Sequence, residues 1–213
     1  YHHLVYKIFA TYGYCFNNFF PMIPKDKVIW FPHSCRYQIE FNKNPINKIL
    51  FFGRCNSTQY PNRLKFINYS KKNKFIKYLK PKLNGYRAKT QDNIDNMIYG
   101  EKYYKILNKY LISFTCDANE ERPYIVAKHF EIMGSGCLLL SCNPNTKKDF
   151  ECLGFIDGED YISCNSEIME EKINWLRNPE NLHKINEIRH SGNDKVKQHT
   201  WLKRTKLLNH ILK

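Results

Sequence analysis

Two turns in this sequence carry residue types that could hold a phosphorylated ligand. The first is Gly53-Arg54-Cys55-Asn56-Ser57-Thr58-Gln59-Tyr60-Pro61-Asn62-Arg63, directly after the apolar run Lys48-Ile49-Leu50-Phe51-Phe52. Gly53 permits close backbone approach, and Arg54 and Arg63 offer guanidinium forks that match phosphate oxygens. With one glycine, the turn is neither a Gly-x-Gly-x-x-Gly dinucleotide fingerprint nor a P-loop. An ordinary strand-to-helix loop with surface arginines is the competing reading.

The second turn runs from Glu120 to Gly136. Pro123 suits a first helical position, which predicts free N–H groups of Tyr124, Ile125 and Val126 at a helix start, a site for a pyrophosphate. Glu131 lies seven residues after Tyr124 and so shares its face. At a rise of ~1.5 Å per residue it sits on the order of 10 Å deeper, placed for a ribose diol. Gly134 and Gly136 are expected to let the next strand pass close. The plainer alternative is a surface glutamate on a helix that the glycines cap. Asp117-Ala118-Asn119 is a poor Asp-x-Asp, Asp157 to Asp160 reads as a surface turn, and His129 as a packed residue. No metal site is expected, because no Cys-x-x-Cys pair or histidine doublet has ligand spacing.

The elements that must position these turns alternate. Lys48–Gly53, Leu111–Cys116, Cys137–Ser141 and Asp160–Cys164 read as strands. Residues 61–68, 95–110 and 123–133 read as helices, and residues 71–89 fit a helix or a strand near Leu83–Tyr86. Further helices are expected from a Ser166 cap, from Pro179 to a stop at Gly192, and over Trp201–Leu212. Alternation of this kind predicts an α/β fold: a Rossmann-like parallel sheet with helices on both faces and a helical C-terminal tail. Ligands of such sheets bind beyond the carboxyl ends of the strands. Residues 1–46 break the pattern and are expected to be the end of a preceding domain plus a linker, with 47–213 forming the Rossmann-like domain. The chain opens on Tyr1, and a missing upstream segment is expected.

Charge is uneven over the 213 residues. Residues 1–100 hold 17 basic and 4 acidic groups, whereas 101–213 hold 17 and 16. Arg63 to Lys89 contains ten basic residues and no acid. Such a field attracts phosphate on nucleotides, nucleic acid or lipid headgroups, although abundant Lys, Asn, Ile, Tyr and Phe also fit an AT-rich genome. A nucleic-acid-binding protein using Arg63–Lys89, with Phe66, Tyr69, Phe75 and Tyr78 as stacking aromatics, is therefore the alternative function. No apolar run reaches the ~18 residues of a membrane span. The eight cysteines read as thiols of a reducing compartment, the cytoplasm.

The stretch Lys128-His129-Phe130-Glu131-Ile132-Met133-Gly134-Ser135-Gly136-Cys137-Leu138-Leu139-Leu140 resembles a signature of GT-B glycosyltransferases. It is similar to the C-terminal, nucleotide-sugar-binding domain of the group 1 (GT4-like) family. Lys48 to Arg54 resembles the first strand and Gly-Arg turn of that domain, and Tyr60-Pro61-Asn62-Arg63 resembles a helix opening found in a subset. Leu153-Gly154-Phe155 through Cys164, and His199-Thr200-Trp201 with Arg204, resemble its tail. The ordered set spans roughly residues 48–212.

The resemblance implies the C-terminal half of a GT-B fold, with a sugar passed from a nucleotide-diphosphate sugar (UDP- or GDP-type) to a glycan, lipid or protein acceptor. It implies Glu131 on the donor ribose, with Gly53, Arg54, Arg63 and the Tyr124–Val126 amides on the donor phosphates. Retention of configuration and independence of metal and cofactor are also implied. Pro123 stands where the family usually has a second glutamate, and its role passes to neither Glu120 nor Glu121. The lysine usual after the Gly-Arg turn is missing, with Arg63 a substitute. No nucleic-acid partner is expected on this reading, and contact with an anionic membrane would be peripheral.

Overall fold

A computed structural model describes residues 5–11, 13, 16–53, 60–80, 98–116, 123–142 and 144–212. Its main sheet has five strands, all parallel: β3 (Ile46–Phe52), β4 (Ile76–Leu79), β5 (Tyr110–Thr115), β6 (Leu138–Cys142) and β7 (Ile162–Cys164). Their order across the sheet is β4-β3-β5-β6-β7. Two short strands, β1 (Ile8–Ala10) and β2 (Val28–Trp30), pair in parallel outside that sheet, with helix α1 (Phe16–Phe19) between them. The helices that follow are α2 (Pro61–Ser70), α3 (Gly100–Leu107), α4 (Ala127–Gly134), α5 (Lys147–Cys152), α6 (Met169–Arg177), α7 (Leu182–Val196) and α8 (Trp201–Ile211).

Apolar residues on successive strand positions feed two cores. Ile49 and Phe51 of β3, Phe114 of β5 and Leu138 and Leu140 of β6 join Phe66 of α2, Ile173 of α6 and Ile188 of α7. Leu50 and Leu139, one position along, face Tyr104 and Leu107 of α3 with Phe130 and Met133 of α4. Helices thus cover both faces, and β6 is buried throughout, as expected of a central parallel strand. Phe66 stacks on Phe114 with centroids 3.7 Å apart.

Several elements differ from expectation for identifiable reasons. Residues 76–79 form a strand, because Ile76 and Tyr78 gain β3 as a hydrogen-bonding neighbour (Ile49 opposite Ile76); the alternative strand at 83–86 lies outside the described residues. Helix α7 continues through Gly192 instead of stopping there, and position 192 is a glycine for another reason: a Cβ there would lie 2.2 Å from the Asp160 carbonyl oxygen. The glycine serves a close helix–backbone contact. Asn165, not Ser166, organises the entry to α6: its Oδ1 accepts the N–H groups of Glu167 and Ile168, each at 2.9 Å. Residues 157–160 turn at the surface as expected, but Asp160 at the end of that turn is buried and accepts from the Ile156 N–H (2.7 Å), Ser191 Oγ (2.5 Å) and Lys195 Nζ (2.7 Å).

The segment after β2 packs onto the main body. Cys35 bridges to Thr200: its N–H donates to the His199 carbonyl, and the Trp201 N–H donates to the Cys35 carbonyl, both at 2.9 Å. Arg189 of α7 is buried, donates to the carbonyls of Gly136 and Asn42, and stacks on Phe41.

Candidate donor site at the sheet's switch point

Strand order reverses direction between β3 and β5. The chain leaves β3 towards β4 on one side and leaves β5 towards β6 on the other, which makes the region beyond their carboxyl ends a switch point, where open parallel sheets bind ligands. Both turns singled out in the sequence start there, one after Phe52 and one after Cys116.

Arg63 reaches this point from α2. It shares the inward face with Phe66 and Ile67, which draws its stem into the protein, and it is 7% exposed. Its Nη2 donates to the Cys116 carbonyl at 3.1 Å, and its guanidinium lies 3.8 Å from the Tyr60 ring centroid. Lys128, from the first turn of α4, arrives from the other side. Its Nζ donates to the Phe52 carbonyl at 2.7 Å. Gly53 lies between them: a Cβ there would sit 3.0 Å from Lys128 Nζ and 3.8 Å from Arg63 Nη1. Tyr78 Oη donates to the Gly53 carbonyl at 3.2 Å. Two cations therefore occupy the carbonyl-rich ends of β3 and β5. Burial, with Arg63 beside it, lowers the Lys128 ammonium to about 8 against the pull of Glu131.

Glu131 lies one turn further along α4 on the Lys128 side. Burial raises its carboxyl, and Lys128 pulls it back down. Behind it Tyr103 is held well above the ordinary phenol range, by burial first and Glu131 second. Arg54 lies outside the described residues, as do Asp117–Asn119, Glu120 and Glu121.

The helix start is not where the sequence pattern put it. Residues 123–126 are non-helical, and α4 begins at Ala127. Val126 is the cap residue, and its N–H is taken by His129 Nδ1 at 3.1 Å. Tyr124, Ile125 and Val126 therefore do not present helix-start amides, and Ile125 is buried in the core beside α4. The physical cause is His129. Fully buried, it accepts from Val126 at Nδ1, so its Nε2–H faces Ser141 Oγ at 3.2 Å. Burial lowers its pKa to about 4, which keeps it neutral. As expected, it is a packed residue.

Gly134 and Gly136 close α4, as the capping reading expects. They accommodate the segment after β2 rather than a strand: a Cβ on Gly134 would lie 2.2 Å from Cys35 Sγ, and one on Gly136 would lie 3.1 Å from the Phe41 ring. Gly136 has φ +77. Lys128 opens the signature-like stretch, yet the sequence reading gives it no role at the site. Its signal is the i, i+3 spacing to Glu131, which places both on one helical face. Among the described residues no group of three His, Cys, Asp or Glu could hold a metal ion.

The four aromatics of the alternative reading are turned to the core rather than to a common open face. Phe66 is core, and Tyr69, Phe75 and Tyr78 pack against that core.

A parallel sheet in this order, with its switch point between first and third strands, is a Rossmann-like half of a GT-B fold. A family model described as "Glycosyl transferase-like" matches residues 57–210, and the chain belongs to that family. Among solved structures it is similar to HepE from Anabaena, crystallised with UDP and glucose (TM-score 0.70, 9% identity, 98% of this chain and 63% of that one). It is also similar to TarM from S. aureus in complex with fondaparinux, α-GlcNAc-glycerol and UDP (TM-score 0.67, 14% identity, 99% and 44%). A third is the pneumococcal O-GlcNAc transferase GtfA with UDP and GlcNAc (TM-score 0.57, 13% identity, 92% and 42%). At these identities the likeness is one of fold, and the chain spans from about two fifths to under two thirds of each. No curated protein matches the sequence.

Proposed function

We propose that this chain is the donor-binding half of a glycosyltransferase that moves a sugar from a UDP-type nucleotide-diphosphate sugar to a glycan, lipid or protein acceptor. The observation that carries the reading is the convergence at the β3/β5 switch point of Gly53, the buried Arg63 and the α4 face bearing Glu131. Glu131 receives the ribose hydroxyls, while Arg54 and Arg63 face the diphosphate. As the sugar–oxygen bond breaks, negative charge collects on the departing phosphate. The Arg63 guanidinium, already held by the Cys116 carbonyl, stabilises that charge without reorganising. The same cations supply neutralisation without a metal ion, and retention of configuration follows the family resemblance. Residues 1–46 are read as the end of an acceptor-side domain and its linker. The setting proposed is cytoplasmic, peripheral to an anionic membrane. Among the described residues no helix is long and apolar enough to cross a membrane.

The test is calorimetric titration with UDP, GDP and ADP in the presence of a chelator. Saturable binding of UDP, weakened at least about tenfold in Glu131→Ala by loss of charged hydrogen bonds to the ribose, is the expected result. Unchanged UDP affinity in a folded Glu131→Ala protein would sink the ribose assignment. NMR of the product's anomeric proton, with any sugar donor that turns over, decides retention.

A further inference from the structure

The donor site proposed above leaves one charged group at the switch point without a role. We propose that Lys128 is a further donor-positioning residue, which together with Arg63 clamps the diphosphate across Gly53. The inference rests on that donor site and is separable from it by experiment.

The geometry is specific. Lys128 and Arg63 come from different helices, α4 and α2, and meet over the same glycine. Their cationic heads lie 3.0 and 3.8 Å from the point a Gly53 Cβ would occupy, which bounds the gap between them at about 7 Å. A bridging diphosphate presents anionic oxygens across that kind of distance. Gly53 is buried, and the missing side chain at position 53 is what lets the two cations converge on the end of β3: a Cβ there would press on Lys128 Nζ. Each cation is aimed by a strand-end carbonyl, Phe52 for Lys128 and Cys116 for Arg63. An ammonium has three donors, and among the described residues one hydrogen bond of Lys128 goes to Phe52. The aromatic rings of Phe52 and Tyr103 lie 5.6 and 5.9 Å from the ammonium and confine it from the sides.

Such a clamp has a signature that a structural lysine lacks. The charged and titratable groups facing Lys128 are Arg63 of α2, Glu131 of α4, Cys116 at the end of β5 and Tyr103 of α3. Burial and Arg63 hold the ammonium at about 8, so at pH 8 roughly half the unliganded molecules carry a neutral Lys128. A diphosphate placed against it favours the charged form. Donor binding at pH 8 therefore draws in up to about half a proton per site, a linkage that fades towards pH 6.5, where Lys128 is already charged.

The experiment titrates the chain with UDP at pH 8 and pH 6.5, in buffers of different ionisation enthalpy, so that proton uptake is read directly. Wild type is expected to take up protons at pH 8 and far fewer at pH 6.5. Lys128→Met is expected to bind UDP at least tenfold more weakly with no uptake at pH 8. Lys128→Arg keeps the charge at both pH values, so it should retain most of the affinity while losing the uptake, whichever way packing responds. If UDP binds, depends on Glu131, and shows the same uptake and affinity in both Lys128 variants, the clamp is wrong and the donor site stands. If UDP does not bind wild type, the donor site itself is wrong and takes the clamp with it.

Discussion

The two ends of the main sheet carry the same kinds of cation in opposite circumstances. At the carboxyl end, Arg63 is buried and Lys128 partly so, each committed to a strand carbonyl, with the buried Gly53 between them. At the amino end, Lys48, Lys72, Lys74 and Arg177 stand exposed around an open groove of about 840 Å³, with Glu170 among them. Exposed charges of that kind are screened within about 10 Å at ordinary salt. A charge fixed in a half-dry crevice keeps most of its field. The number of basic residues in a segment is therefore a poor guide to where an anion will bind. What decides it is whether a helix face drives the charge inward and whether a backbone group holds it there.

Replacing Arg63 by Met should break the carboxyl end most severely. Truncating a buried, hydrogen-bonded charge costs about 2–5 kcal/mol. UDP affinity measured by calorimetry is expected to fall by roughly 10²–10³, with unfolding stability also reduced because the hydrogen bond from Arg63 to the Cys116 carbonyl is lost.

A comparable effect should follow from acid, through His129. Its pKa is lowered in the fold from 6.5 to about 4. Above pH 6.5 both folded and unfolded chains hold it neutral, so its contribution to stability is fully present. As pH falls through this window the unfolded chain takes up the proton first, and stability is lost. The expected loss by pH 4.5 is roughly 2–3 kcal/mol, read from urea midpoints at pH 7 and 4.5. His129→Gln should flatten that slope.

Gly53→Ala sharpens the comparison further. The new methyl meets the far end of Lys128 at 3.0 Å, with the Phe51 ring (3.6 Å) and Arg63 Nη1 (3.8 Å) at ordinary contact distance and no backbone in the way, so the melting temperature should move little. It fills the space over which Lys128 and Arg63 face each other, and an affinity loss of about tenfold for UDP is expected, about 1.4 kcal/mol. A large loss of stability with unchanged binding would show that the glycine matters for packing and not for the ligand.

At the other end, charge reversal of Lys72 and Lys74 should leave UDP affinity within about twofold and stability within ~0.5 kcal/mol, as for surface substitutions in general. A loss similar to that of Arg63→Met would erase the distinction between the two ends.

Much of the sheet was legible because its strands are short apolar runs set between helical periods. Residues 48–53, 111–116 and 137–141 were each placed within a few positions of the observed strands. Their adjacency made the turn after Phe52 and the turn after Cys116 neighbours, as a switch-point site requires. What could not be read locally depended on distant partners. Ile76–Leu79 becomes a strand because β3 pairs with it. The start of α4 slips to Ala127 because a buried histidine takes the Val126 amide. Lys128 reaches the site because its ammonium finds Phe52, 76 positions earlier in the chain. Gly134, Gly136 and Gly192 stand out in the sequence only as helix stops or close-approach points, whereas what each admits (Cys35, Phe41 and the Asp160 backbone) is visible only in three dimensions.

The pairing of Cys35 with residues 199–201 has a mechanical consequence. The segment entering the main body and the segment running into α8 are laced side by side through two backbone hydrogen bonds. Cys35 is itself wedged against Gly134 at the end of α4. A displacement of the chain before Cys35 is thereby handed to the last helix and to the helix that carries Lys128 and Glu131, like a pull on one thread of a two-thread seam.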